Sequence, residues 1–487
     1  MEAPVAVRLQ IALLVTAILA VPAVEAIGIA DIEADTEVRP EPTGSIIIQG
    51  DDELTDHPAV REGSGTAEDP YVISDWVILR TEGAGIRLED TSRHVLVENV
   101  IVLEPINVGA SGVELSNASN VTIQDAWIQG ATIGVKMFYS SNVTLERVLL
   151  EPDNEGEAPI GGFQFGMDLL ENRNVRLGNV SIDRAEYPAW LVNTRNMTIS
   201  DSTFGTDDVL RFWRQIPFSN MTDASIERSV FDNVGLIPQN EADNVTLAYN
   251  VFEEGDWNIL GARDAPQIVE GELCGNEFRR GDSGVDLDEA GELEIRGNVF
   301  ANATFWNLDL WPESLEFTHN RVLGSEDGAR IRTEAAQVYN NSIHGNDRSL
   351  FSHDTDARWN WWGDASGPNL TDYGDEYRGP GDGENVWTAG NEVRIDSWLT
   401  EPPATGPDAV DCGVPDGEAG VKEDPRLSAE LRAMAEAAAQ LEPSAGPIEI
   451  DPVQHRAEVR GEVAVPAPAG VPWNPVKEPL AHPHPFR

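Results

Sequence analysis

The segment "NVTLAYNVF" (244–252) decides the fold. Val245 and Leu247 are apolar and two apart, and Phe252 follows five positions on. Keyed on the middle apolar residue, the phrase returns at Val97, Ile123, Leu145, Leu177, Ile199, Ile226, Leu247, Leu273, Ile295, Phe317, Val338 and, degenerately, Ala357. Within each phrase apolar and polar residues alternate, as in "NVTIQD" (120–125) and "NVTLER" (142–147). Period two over four to six residues rich in Val, Ile and Thr makes short strands. A phrase recurring every 19 to 32 residues is a unit that cannot bury its own apolar face and must stack on its neighbours.

A second strand phrase, Gly followed by alternation, appears ten to fifteen residues later in many units. Examples are "GVEL" (112–115), "GVKM" (134–137), "GMDL" (166–169) and "GVDL" (284–287). Short strands with no helical pattern between them predict an all-β chain: a right-handed parallel β-helix, a solenoid of about twelve coils over residues 63–400. Strands ~4.8 Å apart would make it a rod roughly 55 Å long. Three residues after the key position stand Asn250, Asn276, Asn298, Asn320, Asn341 and Asn360. Asn suits tight turns and stacks in hydrogen-bonded ladders, so these six read as structural. Asn120, Asn142, Asn196 and Asn244 begin N-x-S/T triplets that the repeat itself generates. Such triplets remain glycosylation acceptors on an exported surface, and the sequence does not say which is used.

Residues 1–26 are separate. Arg8 precedes an apolar run from Leu9 to Val24, and "AVEA" (23–26) is suited to cleavage. This reads as a secretory signal, with an uncleaved membrane anchor as the alternative. Residues 27–62 are an N-terminal leader and cap. Residues 401–487, rich in Pro, Ala, Gly and Glu, read as a mostly disordered acidic tail. The chain carries 33 basic and 84 acidic residues, a net charge of −51, with Lys only at Lys136, Lys422 and Lys477. That surface belongs to a protein kept soluble in very high salt, as in an extreme halophile, where ~1 M ions screen charge beyond about 3 Å. Nucleic acid is excluded as a partner for want of a basic stripe. Cys274 and Cys412 are too few for a disulfide framework, and the sequence leaves open whether they pair.

"GSGTAEDPYVISDW" (63–76) and "WNWWGDASGP" (359–368) bracket the repeats. With them the chain, over about residues 45–400, resembles exported right-handed parallel β-helix proteins of the NosD-like group. These are related to the carbohydrate-binding and sugar-hydrolase (CASH, pectin-lyase-like) repeats. The resemblance implies a secreted or cell-surface location and two activities: binding or cleaving polysaccharide, or NosD-type copper handling. Copper sites cluster His, Met or Cys. Here His94, His319, His344 and His353 share no repeat position, and Met137, Met167, Met197 and Met221 are scattered. Copper is weakly supported.

If the second strands stack in register, their outward residues form columns. One column reads Arg87, Glu114, Lys136, Asp168, Arg211, Asn258, Asp286, Asp309, Arg330. The next includes Trp213, Asp288, Trp311 and Arg332. Asp286, Asp309 and Arg330 are the candidate catalytic group, either as an acid and base at a glycosidic bond or with Ca²⁺ and Arg in elimination from a uronic acid. Asp288, Trp311, Arg332, Arg211 and Trp213 are the candidate saccharide contacts. The competing reading is an ion ladder on a structural rod. The sequence therefore supports an exported, monomeric, carbohydrate-interacting rod, a lyase or hydrolase in its strongest form. Contact with a membrane is expected only through the N-terminal segment.

Overall fold

The computed structural model describes residues 41–414, apart from 80, 104, 106–108, 152–164, 184, 207–214, 262–267, 334, 353–354, 373–380 and 389–392. The signal-like segment, Arg211, Trp213, His353 and the tail beyond 414 lie outside the described residues.

Each key apolar residue pairs with the next across parallel strands. Val97 pairs with Ile123, Ile123 with Leu145, and Leu145 with Leu177. The column runs on unbroken to the pairing of Phe317 with Val338. All of these side chains are buried, because each coil contributes one to a core it cannot close alone. The result is a parallel β-solenoid of about eleven turns. The degenerate phrase at Ala357 joins through isolated bridges, of Asp356 to Gln337 and Arg394 and of Trp361 to Ser342.

The third apolar position of the phrase forms its own stack. Phe204, Phe231, Phe252, Phe278 and Phe300 lie with ring centroids 4.6 to 5.2 Å apart and planes within 8° of parallel. Identical residues one coil apart must meet face to face at the strand spacing.

The six ladder asparagines are buried. Asn276 Oδ1 accepts from the Asn250 backbone N–H at 2.9 Å and from Asn250 Nδ2 at 3.0 Å, while Asn250 Nδ2 also donates to the Ile226 carbonyl at 2.7 Å. The pattern repeats down to Asn360. Left-handed backbone angles fall not on these residues but on the ones before them, Tyr249, Gly275, Gly297, His319, Asn340 and Trp359. Burial explains the split: the turn residue faces outward, and the Asn beside it satisfies backbone groups that no water reaches.

The solenoid starts before residue 63. Ile46–Gln49 already pairs in parallel with Ile86–Glu89, and the short helix Asp51–Asp56 buries Leu54 over the end of the core. Trp362, from the Trp-rich motif, is fully buried near the other end.

The described residues also continue past residue 400. Cys274 and Cys412 form a disulfide, with Cα atoms 5.7 Å apart. The intervening strap runs back along the turns: the Gly406 N–H donates to the His319 carbonyl at 2.9 Å, and Arg296 Nη1 donates to the Asp411 carbonyl at 2.7 Å. A Cβ on Gly297 would lie 2.1 Å from Val410 Cγ2, and one on Gly275 would lie 3.2 Å from Cys412 Sγ. The turn column is glycine at 275 and 297, where Cys412 and Val410 of the strap pack against it.

Candidate functional site

In its two end sections the second-strand column has the register expected from period two. Arg87, Glu114, Lys136 and Asp168 are successive partners, and so are Asp286, Asp309 and Arg330. The middle differs. Asp168 pairs with Trp190, and the column continues through Pro217 and Ile237 to Leu260, which pairs with Asp286. Asn258 is not an outward member but is buried. Here "YPAWLV" (187–192) turns Ala189 and Leu191 inward, a phase set by burial rather than by a leading Gly. The column thus has two charged ends and an apolar centre.

At the upper end opposite charges neighbour one another. Arg87 Nη2 lies 3.1 Å and Lys136 Nζ 3.8 Å from Glu114 carboxylate oxygens. Lys136 also sits 5.0 Å over the Phe138 ring. Burial raises the Asp168 carboxyl above its ordinary range, and Lys136 draws it part of the way back.

The lower end is built on the strand Trp306–Thr318, whose alternation sends Leu308 and Leu310 into the core. Asp309 faces the next coil and is only 7 % exposed. Its Oδ2 accepts from Arg330 Nη1 and from Arg332 Nη2, both at 3.1 Å. Its Oδ1 is buried without a hydrogen-bond partner among the described residues, and the Trp311 side chain acts weakly to lower the same carboxyl. Burial raises the Asp309 carboxyl, and Arg332 and Arg330 lower it without cancelling the rise. Burial likewise pulls the Arg332 guanidinium down, and Asp309 opposes that. Arg332 stacks on Trp311 at 4.3 Å from the ring centroid, and Trp311 remains 43 % exposed. Arg330 lies 5.9 Å from both the Trp306 and Phe351 rings. Its Nε is 3.6 Å from Asp327, which Arg348 also engages. Asp286, Asp309, Arg330, Arg332 and Trp311 therefore come together, with Asp286 and Asp288 near enough to bias Arg332.

Chemically, Asp309 is a strut. A carboxylate shared by two guanidinium groups and shielded from water aligns their remaining N–H donors outward. The same commitment makes it a poor general base.

A second concave surface lies on another face of the coils. The outward side of the first strands forms a groove of about 390 Å³ whose lining includes Glu270, Glu272, Glu292, Glu294 and Glu316. Glu272 pairs with Glu294, and Glu294 with Glu316, in adjacent strands. Arg296 bridges Glu272 and Glu294. Burial and the two neighbouring glutamates raise the Glu294 carboxyl. Tyr339 donates to Glu316 at 2.5 Å and is pushed up to about 12. The signal was present, since Glu precedes the key apolar residue in three successive phrases, but acidity spread over the whole chain hid it. Among the described residues, no group of three or more His, Cys, Asp or Glu side chains is disposed to hold a metal.

No family model matches the chain, and no curated protein matches it. Its fold is similar to that of several solved structures. A double mutant of the periplasmic alginate epimerase AlgG is 12% identical over 74% of this chain and 86% of that one, with a TM-score of 0.42. PfbA, a surface adhesin of Streptococcus pneumoniae, is 12% identical over 58% and 83%, at 0.41. A mannuronic acid specific polysaccharide family 6 lyase from human gut microbiota is 13% identical over 72% and 80%, at 0.33.

Proposed function

We propose that this chain is an exported, salt-adapted surface rod that binds carbohydrate on the second-strand face around Trp311, Arg330 and Arg332. The observation that carries the reading is the half-exposed Trp311 ring packed against Arg332, with Arg332 and Arg330 both held by buried Asp309. A rigid aromatic face stacks on the C–H face of a sugar ring, and oriented guanidinium donors bond hydroxyl or carboxylate oxygens. Sites on strands hold such groups in place without an ordering cost on binding. Asp286 and Asp288 supply acceptors at the rim.

Binding is favoured over cleavage because Asp309 is buried and committed to two arginines. In a lyase or hydrolase, the acid–base work would fall to Asp286 and Arg330. A non-catalytic structural rod is the second reading, favoured by the same ion pairs, which need no ligand. The copper reading is not favoured: Met137, Met167, Met197 and Met221 are all buried in the core.

The test is a polysaccharide binding panel with the purified full chain in molar salt. Cleavage would be followed by reducing ends and ultraviolet absorbance. Trp311→Ala and Arg332→Ala are expected to weaken binding at least tenfold, with the Trp311→Ala melting temperature unchanged. Binding to no glycan, or equal binding by Trp311→Ala, would leave the structural rod. Cleavage abolished by Asp286→Ala would make the protein an enzyme.

A further inference from the structure

The chain contains ten N-x-S/T triplets, and the fold treats one of them differently from the other nine. In nine, the hydroxyl residue lies inside a strand, as Thr144 does in Ser141–Glu151 and Thr198 in Arg195–Ser200. A transferred glycan needs an accessible acceptor amide beside an accessible hydroxyl residue, and stacking in paired strands crowds both. Several acceptor amides are also occupied as rungs of an outer ladder. Asn142 Nδ2 donates to Asn120 Oδ1 at 3.0 Å, Asn196 Nδ2 to Asn174 Oδ1 at 2.9 Å, and Asn244 Nδ2 to Asp223 Oδ1 at 2.7 Å. Asn179 and Asn340 are paired with hydroxyl residues, Ser181 and Ser342, that are buried.

Asn302-Ala303-Thr304 differs in each respect. It lies in the loop between the strands Val299–Ala301 and Trp306–Thr318, and both Asn302 and Thr304 are exposed. Neither side chain makes a hydrogen bond to another described residue. The Asn302 backbone is fixed in a left-handed turn, φ 61°, by its N–H donating to the Leu323 carbonyl at 2.9 Å. Below it the turn column is glycine for two coils, Gly324 and Gly345. A Cβ on Gly324 would approach Asn302 Oδ1 to 2.6 Å, so the space beside the amide depends on glycine there. Phe305, 45 % exposed, flanks the loop as an apolar surface for the first sugar.

We propose that Asn302 is the asparagine-linked glycosylation acceptor of the folded protein, and that the ladder triplets are structural. The donor class is a lipid-phosphate-linked oligosaccharide. The Asn302 amide nitrogen forms a bond to the anomeric carbon and loses a proton. The bond from that carbon to the lipid-phosphate oxygen breaks, and the lipid phosphate leaves with the electron pair. This inference rests on export and is independent of glycan binding at Trp311.

The experiment incubates the folded full chain with membranes that supply a transferase and the lipid-linked donor. Site occupancy is then read by peptide mass spectrometry. Occupancy at Asn302 is expected to exceed that at Asn142 and Asn196 at least tenfold. It should vanish in Thr304→Ala, persist in Thr304→Ser, and leave the melting temperature unchanged in both variants. An unmodified Asn302, ladder sites modified to a similar extent, or Thr304→Ala retaining the glycan would each overturn the proposal.

Discussion

The two ends of the solenoid carry asparagine ladders on different turns of the coil. Toward the N-terminus the ladder Asn120, Asn142, Asn174 and Asn196 stands on the outside, three residues before the key apolar position. Toward the C-terminus the ladder Asn250 to Asn360 is buried, three residues after that position and next to the phenylalanine stack. The charged columns differ in parallel: Arg87, Glu114 and Lys136 alternate in sign at a partly exposed surface, whereas Asp286 and Asp309 are like-charged neighbours and Asp309 is buried under two arginines. An alternating ladder neutralises itself and leaves nothing directed outward. A buried carboxylate under two guanidinium groups holds them in a fixed pose, which suits recognition and makes that end intolerant of change.

Substitution of the charged partners should expose this contrast most strongly. Asp309→Ala removes the carboxylate that Arg330 and Arg332 share, leaving Arg330 with Asp327, and should cost about 3 kcal/mol, at the low end for broken buried pairs. Glu114→Ala breaks more exposed pairs and should cost about 1 kcal/mol or less. Chemical denaturation in molar salt measures both, and equal costs would break the comparison.

The ladders give a smaller difference. Asn298→Ala deprives the Asn276 backbone N–H and the Leu273 carbonyl of buried partners, costing about 2–4 kcal/mol. The exposed rung Asn142→Ala should cost about 0.5 kcal/mol, because water replaces it. A large effect at Asn142 would mean that the outer ladder carries the N-terminal coils.

The response to pH is the smallest effect and the sharpest in sign. Asp168 in the upper column, and Asp309 and Asp327 below, have folded pKa values raised above the ordinary 3.8 by burial. Between 3.8 and the raised values the folded state binds more protons than the unfolded chain, so stability falls as pH rises through that window. Acidification through that window should therefore raise the melting temperature. The rise should be smaller in Asp309→Asn and in Asp168→Asn than in the unsubstituted chain. A melting temperature that falls on mild acidification would show that the paired arginines outweigh burial.

Legibility in the sequence tracked burial. The key column from Val97 to Val338, the ladder asparagines and the alternation of the second strands were all readable, because inward positions tolerate only apolar or fully bonded residues. The outward face between Tyr187 and Leu260 was not readable, since Trp190, Pro217 and Ile237 obey no strict rule and their phase depends on which neighbours turn inward. The glutamate groove was overlooked for a related reason: in a chain of net charge −51 an acidic residue by itself carries little information.

The period, the solenoid and the identity of the core follow from the amino-acid sequence, because a hydrophobic repeat that cannot close on itself has one way to bury its face. Stacking of the coils set which charges became neighbours, brought Cys274 to Cys412 across 138 residues, and left the Asn302 side chain with no hydrogen bond to another described residue while Asn142 is tied into a ladder. Those outcomes join residues a full coil or more apart. Their chemistry depends on register and burial, which no local stretch of chain contains.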